Sequence, residues 1–127
     1  MKKMWSRYWI RSTQRRKQKK YRIYAPLHIK QKLVSSMLDK KLREQYKIRS
    51  IGLRKGDEVL VMRGSFKGKS GKVSKISLKK TKVGVEGLKV KKVSGQEIEA
   101  SFDPSNLKII KLNLDDKNRL EKLGRKK

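Results

Sequence analysis

A loop over residues 64–71 contains the backbone and side chains best suited to bind an oxyanion. Its glycines can adopt positive φ, which lets backbone N–H groups approach an oxygen closely. Cationic side chains surround these glycines. We therefore predict that the loop clamps a phosphate; the alternative is an ordinary β-turn whose lysines face water. The residues concerned are Arg63, Gly64, Lys67, Gly68, Lys69 and Gly71.

The same loop resembles the end of a nucleotide-binding P-loop in the run Gly68-Lys69-Ser70. A P-loop would need a glycine at position 63, where this chain has Arg63, and a helix after the loop, which the pattern does not predict. We therefore reject nucleotide binding at this loop. Phe66, at the loop tip, has two open roles: stacking on a nucleic-acid base, or packing against the rim of the fold.

The chain has few side chains that could support catalysis or bind a metal ion. Its acidic residues occur mostly as adjacent or alternating pairs, which suit charge balance, turn formation or helix capping rather than acid–base chemistry. The chain has one histidine and no cysteine, so disulfides and cysteine-ligated zinc are excluded. We predict that the chain is not an enzyme and has no cofactor, no metal and no small-molecule substrate.

The net charge of the chain implies a polyanionic partner. Lys and Arg number 38 against 11 Asp and Glu, for a formal net charge of +27. Such a chain repels itself unless anions surround it, and phosphate backbones or anionic lipids could supply them. No apolar run approaches the ~20 residues of a membrane span, and we predict no membrane partner. Hydrophobic residues make up only 35%, so we expect one folded module with flanking segments that order on their partner.

Residues 1–24 are the most one-sided part of the chain, with ten basic side chains and no acid. Trp5 and Trp9 alternate there with Arg7 and Arg11. Aromatic rings can stack on exposed bases while cations reach phosphates, so we predict a nucleic-acid-binding arm. Two alternatives stay open: an amphipathic helix that packs on a neighbouring protein or a membrane surface, and a mitochondrial transit peptide.

The rest of the chain divides into three segments. Apolar spacing predicts helices over residues 25–49, with Asp39 as the N-cap of a helix from Lys40 to Tyr46. The pattern of residues 50–112 predicts five or six short strands with tight turns, which suggests a small barrel. Two of the predicted strands are separate ones at 82–86 and 88–93, and a hairpin turn is predicted at Ser94-Gly95. For the charged segment 113–127 two alternatives stay open: Asp115 caps a short helix that contains Leu120 and Leu123, or the segment is a solvated or RNA-bound tail.

Two sets of residues carry a resemblance to a known family. Residues 54–73, from Arg54-Lys55-Gly56-Asp57 to Gly71-Lys72-Val73, resemble a KOW motif, a strand–loop–strand signature shared by ribosomal and transcription-elongation proteins. The second set consists of six further segments. In their order along the chain, these segments and the KOW motif together resemble the archaeal and eukaryotic form of the large-subunit ribosomal KOW family numbered twenty-four in universal nomenclature. The segments that carry this second resemblance are 16–21, 25–29, 42–46, 49–51, 103–107 and 111–117.

The chain departs from the family pattern at three positions. Arg15 and Gly52 stand where the family often has proline, and Asp103 stands where it usually has histidine. An acid at position 103 makes a phosphate contact by that side chain unfavourable. The match still spans about residues 14–118, in several independent motifs.

The resemblance implies an SH3-like barrel with basic extensions. It implies binding to the 5′ region of the large-subunit ribosomal RNA, a role early in subunit assembly, and a position near the polypeptide exit tunnel. The implied partners are that RNA and neighbouring large-subunit proteins, on the cytoplasmic ribosome. The alternative is a transcription-elongation regulator with a KOW barrel, although 127 residues leave no room for a polymerase-binding domain.

We therefore expect a mainly β protein organised in four parts: a basic RNA-binding arm (1–24), a short helical segment (25–49), an SH3-like KOW barrel (50–112) and a charged C-terminal tail (113–127). The residues expected to contact RNA are exposed cations, rings and loop glycines, and His28 is included although a structural role is equally open for it. They are Trp5, Arg7, Trp9, Arg11, Arg15, Arg16, Lys17, Lys19, Lys20, Arg22, His28, Lys30, Lys32, Arg43, Arg49, Arg54, Lys55, Arg63, Gly64, Phe66, Lys67, Gly68 and Lys69.

Overall fold

Seven strands and four α-helices occur in the residues that this computed structural model describes, 5–124. Residues 1–4 of the predicted arm and 125–127 of the predicted tail lie outside them. The helices are α1 (Arg15–Tyr24), α2 (Leu27–Leu33), α3 (Lys40–Tyr46) and α4 (Lys117–Gly124), and 3-10 turns occupy Arg7–Arg11 and Pro104–Asn106. The strands are β1 (Ser35–Leu38), β2 (Ser50–Gly52), β3 (Glu58–Val61), β4 (Ser70–Ser77), β5 (Lys82–Lys91), β6 (Glu97–Phe102) and β7 (Leu107–Lys111).

The strands form one mixed sheet in the order β2-β1-β7-β3-β4-β5-β6. Strands β1 and β7 run parallel, with Leu38 opposite Ile109, whereas the other neighbours run antiparallel. The mainly β class predicted from the sequence is confirmed.

Alternation along the central strands builds the core. Val59 and Val61 of β3, Val83 and Val85 of β5, and Ile109 of β7 are all fully buried. Side chains two residues apart on a strand point to the same face, so each strand contributes one apolar face to a common interior. Burial of these faces is the main force that holds the sheet together.

The predicted helical segment 25–49 is wrong in its middle. Two helices are present, but Ser35–Leu38 between them is strand β1, which pairs with β2 and β7. Val34, Ser36 and Leu38 are all buried, which is the two-residue period of a strand. The Ser36 hydroxyl donates to the Pro104 carbonyl at 2.5 Å, which satisfies the one polar group on that face. The sheet therefore begins before residue 50.

The two strands predicted at 82–86 and 88–93 are one continuous strand, β5. Its pairing with β6 shifts register between Gly84 and Lys89. Gly87 lies in this interval with a φ of +79°, a backbone conformation that glycine adopts without strain. The predicted hairpin turn is confirmed, because Gly95 has a φ of +90° and the Lys92 N–H donates to the Gln96 carbonyl at 2.8 Å.

Helix α4 is docked on the sheet, so of the two alternatives for this segment the short helix containing Leu120 and Leu123 is the one observed, and not a solvated or RNA-bound tail. Leu123 is buried in the core, and Arg119 forms an ion pair with Asp57 at 2.6 Å. The capping residue differs from the prediction. The Asp116 carboxylate, rather than that of Asp115, accepts the Asn118 N–H at 3.0 Å.

The Asp57–Arg119 pair is a buried, two-pronged ion pair. Arg119 donates from its two terminal nitrogens to the two Asp57 oxygens, at 2.6 and 2.7 Å. Each Asp57 oxygen also accepts a backbone N–H, from Arg54 at 2.9 Å and from Asn113 at 2.8 Å. Arg119 donates further to the Gly52 carbonyl at 3.1 Å. One ion pair thus joins α4 to the end of β2, to the turn before β3 and to the segment after β7.

No helix in residues 5–124 is both long and apolar enough to cross a bilayer.

Candidate nucleic-acid interface

The part of the arm that the structure describes, residues 5–24, presents its cations to solvent. The 3-10 turn Arg7–Arg11 and helix α1 bury no side chain. No acidic residue occurs before Asp39 in the sequence, so the arm contains no internal counter-charge. The exposed cations include eight of the predicted RNA contacts: Arg7, Arg11, Arg15, Arg16, Lys17, Lys19, Lys20 and Arg22.

Helix α1 is electrostatically unfavourable at its beginning. Gln14 at the N-cap position makes no side-chain capping bond, and the first turn contains Arg15 and Arg16 but no acid. Cations near the positive end of a helix dipole destabilise it, whereas an anion there is stabilising. An anion beside this end would therefore stabilise the helix.

The turn Arg7–Arg11 packs against α1 and borders a partly open cavity of about 310 Å³, which we call the arm pocket. Gln18 holds the two parts together, since its side-chain amide donates to the carbonyls of Ile10 and Ser12. The Lys20 ammonium lies 6.0 Å from the centre of the Trp9 ring. The pocket is lined by Tyr8, Trp9, Arg11, Ser12, Lys17 and Lys20.

Trp5 lies outside the arm pocket. Its ring packs on Tyr21 of α1, with 5.3 Å between ring centres and a tilt of 41°. The indole N–H is buried and has no hydrogen-bond partner within residues 5–124. The two tryptophans that the sequence pattern grouped together therefore have different environments: Trp5 packs on α1, and Trp9 lines the pocket.

A larger groove, the helix groove, runs between α2, β2 and α4 and has a volume of about 680 Å³. It brings together three predicted contacts, His28, Lys32 and Arg54. Asn118 and Lys122 of α4 also line it, and the sequence analysis missed both. The signal that could have found them is the helical spacing of residues 117–124, which places these two polar side chains four residues apart on one face.

The loop over residues 64–71 is folded on itself rather than open. Gly64 and Gly68 have the predicted positive φ, at +95° and +87°. However, the Gly68 N–H donates to the Val61 carbonyl at 2.9 Å, and the Lys67 and Lys69 N–H groups donate within the loop. These three N–H groups are therefore already paired and do not form a phosphate clamp. The positive charges of the loop remain exposed.

Gly71 was included in the clamp for its positive φ, and this expectation is wrong. It lies in strand β4 and lacks a positive φ. A Cβ atom added there would meet Val85 Cγ1 at 2.7 Å and the Glu86 carbonyl oxygen at 2.8 Å. Glycine is therefore required at this position by close packing of two strands.

Phe66 packs on the fold. Its ring meets that of Phe102 edge to face, with 5.7 Å between centres. The Lys69 ammonium lies 5.3 Å from the centre of the Phe66 ring. Of the two roles left open, packing against the rim is the one observed. Phe66 and Arg63 border a shallower cavity of about 350 Å³ beside the β5–β6 hairpin.

Lys30 was predicted to contact RNA, but its side chain is buried. Only 7% of it is exposed, and its ammonium donates to the Lys79 carbonyl at 3.0 Å. Arg43 is half-buried, and its Nε is buried without a partner. Arg49 and Lys55 are exposed, as predicted for residues that reach a phosphate.

Asp39 illustrates how the few acids of the chain are used. It begins α3 as predicted, but its side chain makes no capping bond. Instead it forms an ion pair with Lys108 at 3.1 Å. This hydrogen bond with Lys108 is the main cause that holds the pKa of Asp39 below its usual value. The carboxylate neutralises a sheet lysine.

Within the described residues, no group of three or more His, Asp or Glu side chains is placed to hold a metal ion.

Comparison with known proteins gives consistent matches over nearly the whole chain. A family model described as the ribosomal proteins L26 of eukaryotes and L24 of archaea matches residues 12–126. The large ribosomal subunit protein uL24 of Methanocorpusculum labreanum is 45% identical over 114 residues, which cover 90% of this chain and 94% of that protein. The protein of the same name from Methanospirillum hungatei is 44% identical over 113 residues, covering 89% and 94%. The one from Methanoregula boonei is 44% identical over 117 residues, covering 92% and 97%.

Proposed function

Because this chain belongs to the uL24 family of ribosomal proteins in its archaeal form, we propose that it binds large-subunit ribosomal RNA through its arm and helix groove. Family membership makes it a structural constituent of the large ribosomal subunit and confirms the prediction that it is not an enzyme. Its partners are accordingly ribosomal RNA and other large-subunit proteins, and its place is the ribosome.

The finer parts of the proposal follow the family resemblance. We propose that the chain binds the 5′ region of the RNA early in assembly, near the polypeptide exit tunnel of a cytoplasmic ribosome. We also propose that its sheet is an SH3-like KOW barrel. The neighbouring strands β3, β4 and β7, paired antiparallel around a common core, support this proposal. The match over residues 12–126 favours this function over the transcription-elongation alternative.

The observation that carries the proposal is the exposed, acid-free arm. Eight predicted contacts lie on the arm surface, in a chain whose net charge is +27. Each cation that neutralises a phosphate releases condensed counterions, so affinity comes from the number of phosphates met. Phosphate contacts of this kind position a protein on folded RNA, and shape and 2′-hydroxyls then decide which RNA is bound.

Salt dependence tests the proposal directly. Binding to a transcript of the 5′ region of large-subunit RNA is measured over a range of KCl concentrations, with an equally long 3′ transcript as the control. We expect log K to fall with log[KCl] by about 0.7–0.9 for each phosphate neutralised, and tighter binding to the 5′ transcript. A slope below about 2 would contradict RNA binding through the arm. Equal affinity for both transcripts would contradict only the 5′ assignment.

Charge reversal tests where the contacts lie. The arm variant Arg16→Glu/Lys19→Glu is compared with Lys91→Glu/Lys92→Glu on the β5–β6 hairpin, because all four side chains are exposed and each pair lowers the net charge by the same amount. We expect the arm variant to bind RNA more weakly and to reduce the salt slope by about two, one for each phosphate that the variant no longer neutralises. Reversal of Glu97 is expected to cause no weakening. Equal weakening by the two double variants would show that charge acts without a defined site.

A further inference from the structure

The arm pocket leaves large aromatic side chains uncovered. Tyr8 is 65% exposed, Trp9 39% and the neighbouring Ile10 59%. Aromatic rings bury more surface than other side chains when they are covered, so a contiguous exposed group of them is typical of a binding site. The position of Trp5, packed on Tyr21, shows that the arm can cover an indole when its own fold provides the partner.

The pocket is preformed rather than assembled from a loose chain. Two carbonyls of the turn, those of Ile10 and Ser12, accept hydrogen bonds from the Gln18 side chain on α1. At the other end of the turn, Ser6 caps it by accepting the Tyr8 N–H at 3.4 Å. A pocket whose walls are already fixed loses less conformational entropy on binding, which increases affinity.

The lining of the pocket combines flat rings with positive charge. Three cations, Arg11, Lys17 and Lys20, surround Trp9 and Tyr8, and no carboxylate lines the cavity. The complementary ligand has a flat π-face for the ring and an anion for the cations. A cavity of about 310 Å³ lies at the small end of the range for compact organic ligands, which suits a single nucleoside.

We propose that the arm pocket binds one unpaired base of the ribosomal RNA, stacked on Trp9, with its phosphate held by Lys17 and Lys20. This proposal rests on the proposed function and adds a defined, preformed subsite to it. Stacking on an aromatic side chain is tolerant of sequence, because every base has a π-face. The arm thus grips a single nucleotide that the RNA fold has left unstacked.

The first experiment uses Trp9 as its own reporter. The chain has two tryptophans, so Trp5→Phe leaves Trp9 as the only indole, and the phenyl ring keeps the packing on Tyr21. This variant is titrated with pentaadenylate and with an abasic pentamer of the same charge. We expect pentaadenylate to quench Trp9 emission and the abasic pentamer to leave it nearly unchanged. Equal quenching by both, or none by either, would overturn the proposal.

The second experiment measures affinity for the 5′ ribosomal transcript. We expect Trp9→Ala to weaken binding by about 5- to 150-fold, the usual effect of losing one stacked base, while Trp9→Phe retains most of the affinity. Tyr24→Ala is the matched control, because it removes an exposed ring of α1 that does not line the pocket, and it is expected to bind as the unmodified chain does. Circular dichroism of each variant verifies that helix content is unchanged.

Gln18→Ala separates positioning from direct contact. Gln18 shapes the pocket through two carbonyls of the turn and is not among the residues that line it. We expect this variant to reduce the quenching of Trp9 by pentaadenylate and to leave the salt slope for the transcript unchanged, because no cation is removed and Lys17 and Lys20 can still reach phosphates. A changed slope with unchanged quenching would contradict the positioning role.

The outcomes keep this proposal distinct from the proposed function. If Trp9→Ala binds the transcript normally while Arg16→Glu/Lys19→Glu binds weakly, the pocket does not hold a base, but the RNA-binding function stands. If the unmodified chain does not bind the transcript, both fail. Vesicles containing phosphatidylglycerol serve as a competing anionic ligand. A blue shift of Trp9 emission with vesicles but no response to pentaadenylate would assign the pocket to a membrane surface and overturn the proposal.

Discussion

The buried ion pair of Asp57 and Arg119 predicts that a single substitution in helix α4 destabilises the whole fold. Replacing Arg119 with Met keeps much of the length of the side chain but removes its charge and its hydrogen-bond donors. The Asp57 carboxylate, which is fully buried, then lacks its counter-charge. Removal of one partner of such a pair typically costs about 3–5 kcal/mol, because the other charge stays buried without compensation.

The structure favours the lower end of that range. Asp57 keeps the two backbone N–H groups of Arg54 and Asn113 after the substitution, so its charge is still partly solvated. Helix α4 is also held by buried Leu123, and if the helix lifts away, water can reach Asp57. We therefore expect a loss of about 3 kcal/mol, a large share of the ~5–15 kcal/mol that stabilises a typical domain.

Denaturation followed by circular dichroism at a β-sheet wavelength is the suitable assay, since both tryptophans lie in the arm and report poorly on the sheet. Arg54→Ala is the matched control. It breaks an ion pair with Asp116, 3.0 Å long, whose side chains are 53% and 32% exposed. An exposed pair of this kind contributes about 0–1 kcal/mol. If Arg119→Met cost no more than Arg54→Ala, and the α4 amides kept their hydrogen-exchange protection, the buried pair would not hold the helix as argued.

Two further predictions concern a glycine and a carboxylate. Gly71→Ala is expected to lower the free energy of unfolding, measured by denaturant, by about 1–3 kcal/mol, because the added Cβ would lie 2.7 Å from Val85 Cγ1. Gly124→Ala is the control, because a Cβ added there has nothing within 4 Å. Equal effects of the two substitutions would contradict the packing argument. For Asp39, the Lys108 hydrogen bond lowers the folded-state pKa, so its stabilising contribution is complete above the ordinary value of 3.8 and is lost as the pH falls through the lower folded pKa. An NMR titration should place the Asp39 midpoint below 3.8, and Lys108→Ala should raise it; an unchanged midpoint in that variant would refute the stated cause.

Local pattern predicted the strands whose buried faces are uniformly apolar. Val59 and Val61 belong to the apolar run from Val59 to Met62, and β3 lies where that run predicts a strand. The same rule failed for β1 because Ser36 occupies a buried position. A polar residue there hides the two-residue period, and Leu33, Val34, Met37 and Leu38 then match a helical period instead. The hydroxyl is tolerated only because the Pro104 carbonyl, distant in sequence, accepts its hydrogen bond.

Ion pairs and hydrogen bonds between residues that are distant in sequence could not be predicted from local sequence patterns. Asp57 stands next to Glu58 in a run that suggests surface charge balance, yet it is fully buried. Its partner Arg119 lies 62 residues away, and no local rule relates the two. Lys30 was assigned to RNA because lysines are rarely buried, but a backbone carbonyl satisfies its ammonium. Such positions depend on the tertiary fold, which brings remote partners within bonding distance.

The arm could be predicted because its properties are properties of composition. A segment without acids and without buried side chains exposes its cations in any conformation, so Arg16 and Lys19 reach solvent whether or not α1 is formed. The pocket around Trp9 could not be predicted, because it depends on the hydrogen bonds of Gln18. In the RNA binding that we propose, charge and geometry have different roles. Charge sets how strongly the arm is drawn to RNA, since it determines the number of phosphates neutralised. Geometry sets where the arm comes to rest, since a preformed pocket accepts only a base that the RNA leaves unstacked. An uncapped helix of ten residues that buries nothing is marginal by itself, so the hydrogen bonds of Gln18 and the packing of Trp5 on Tyr21 are what hold the pocket in shape before a base enters it.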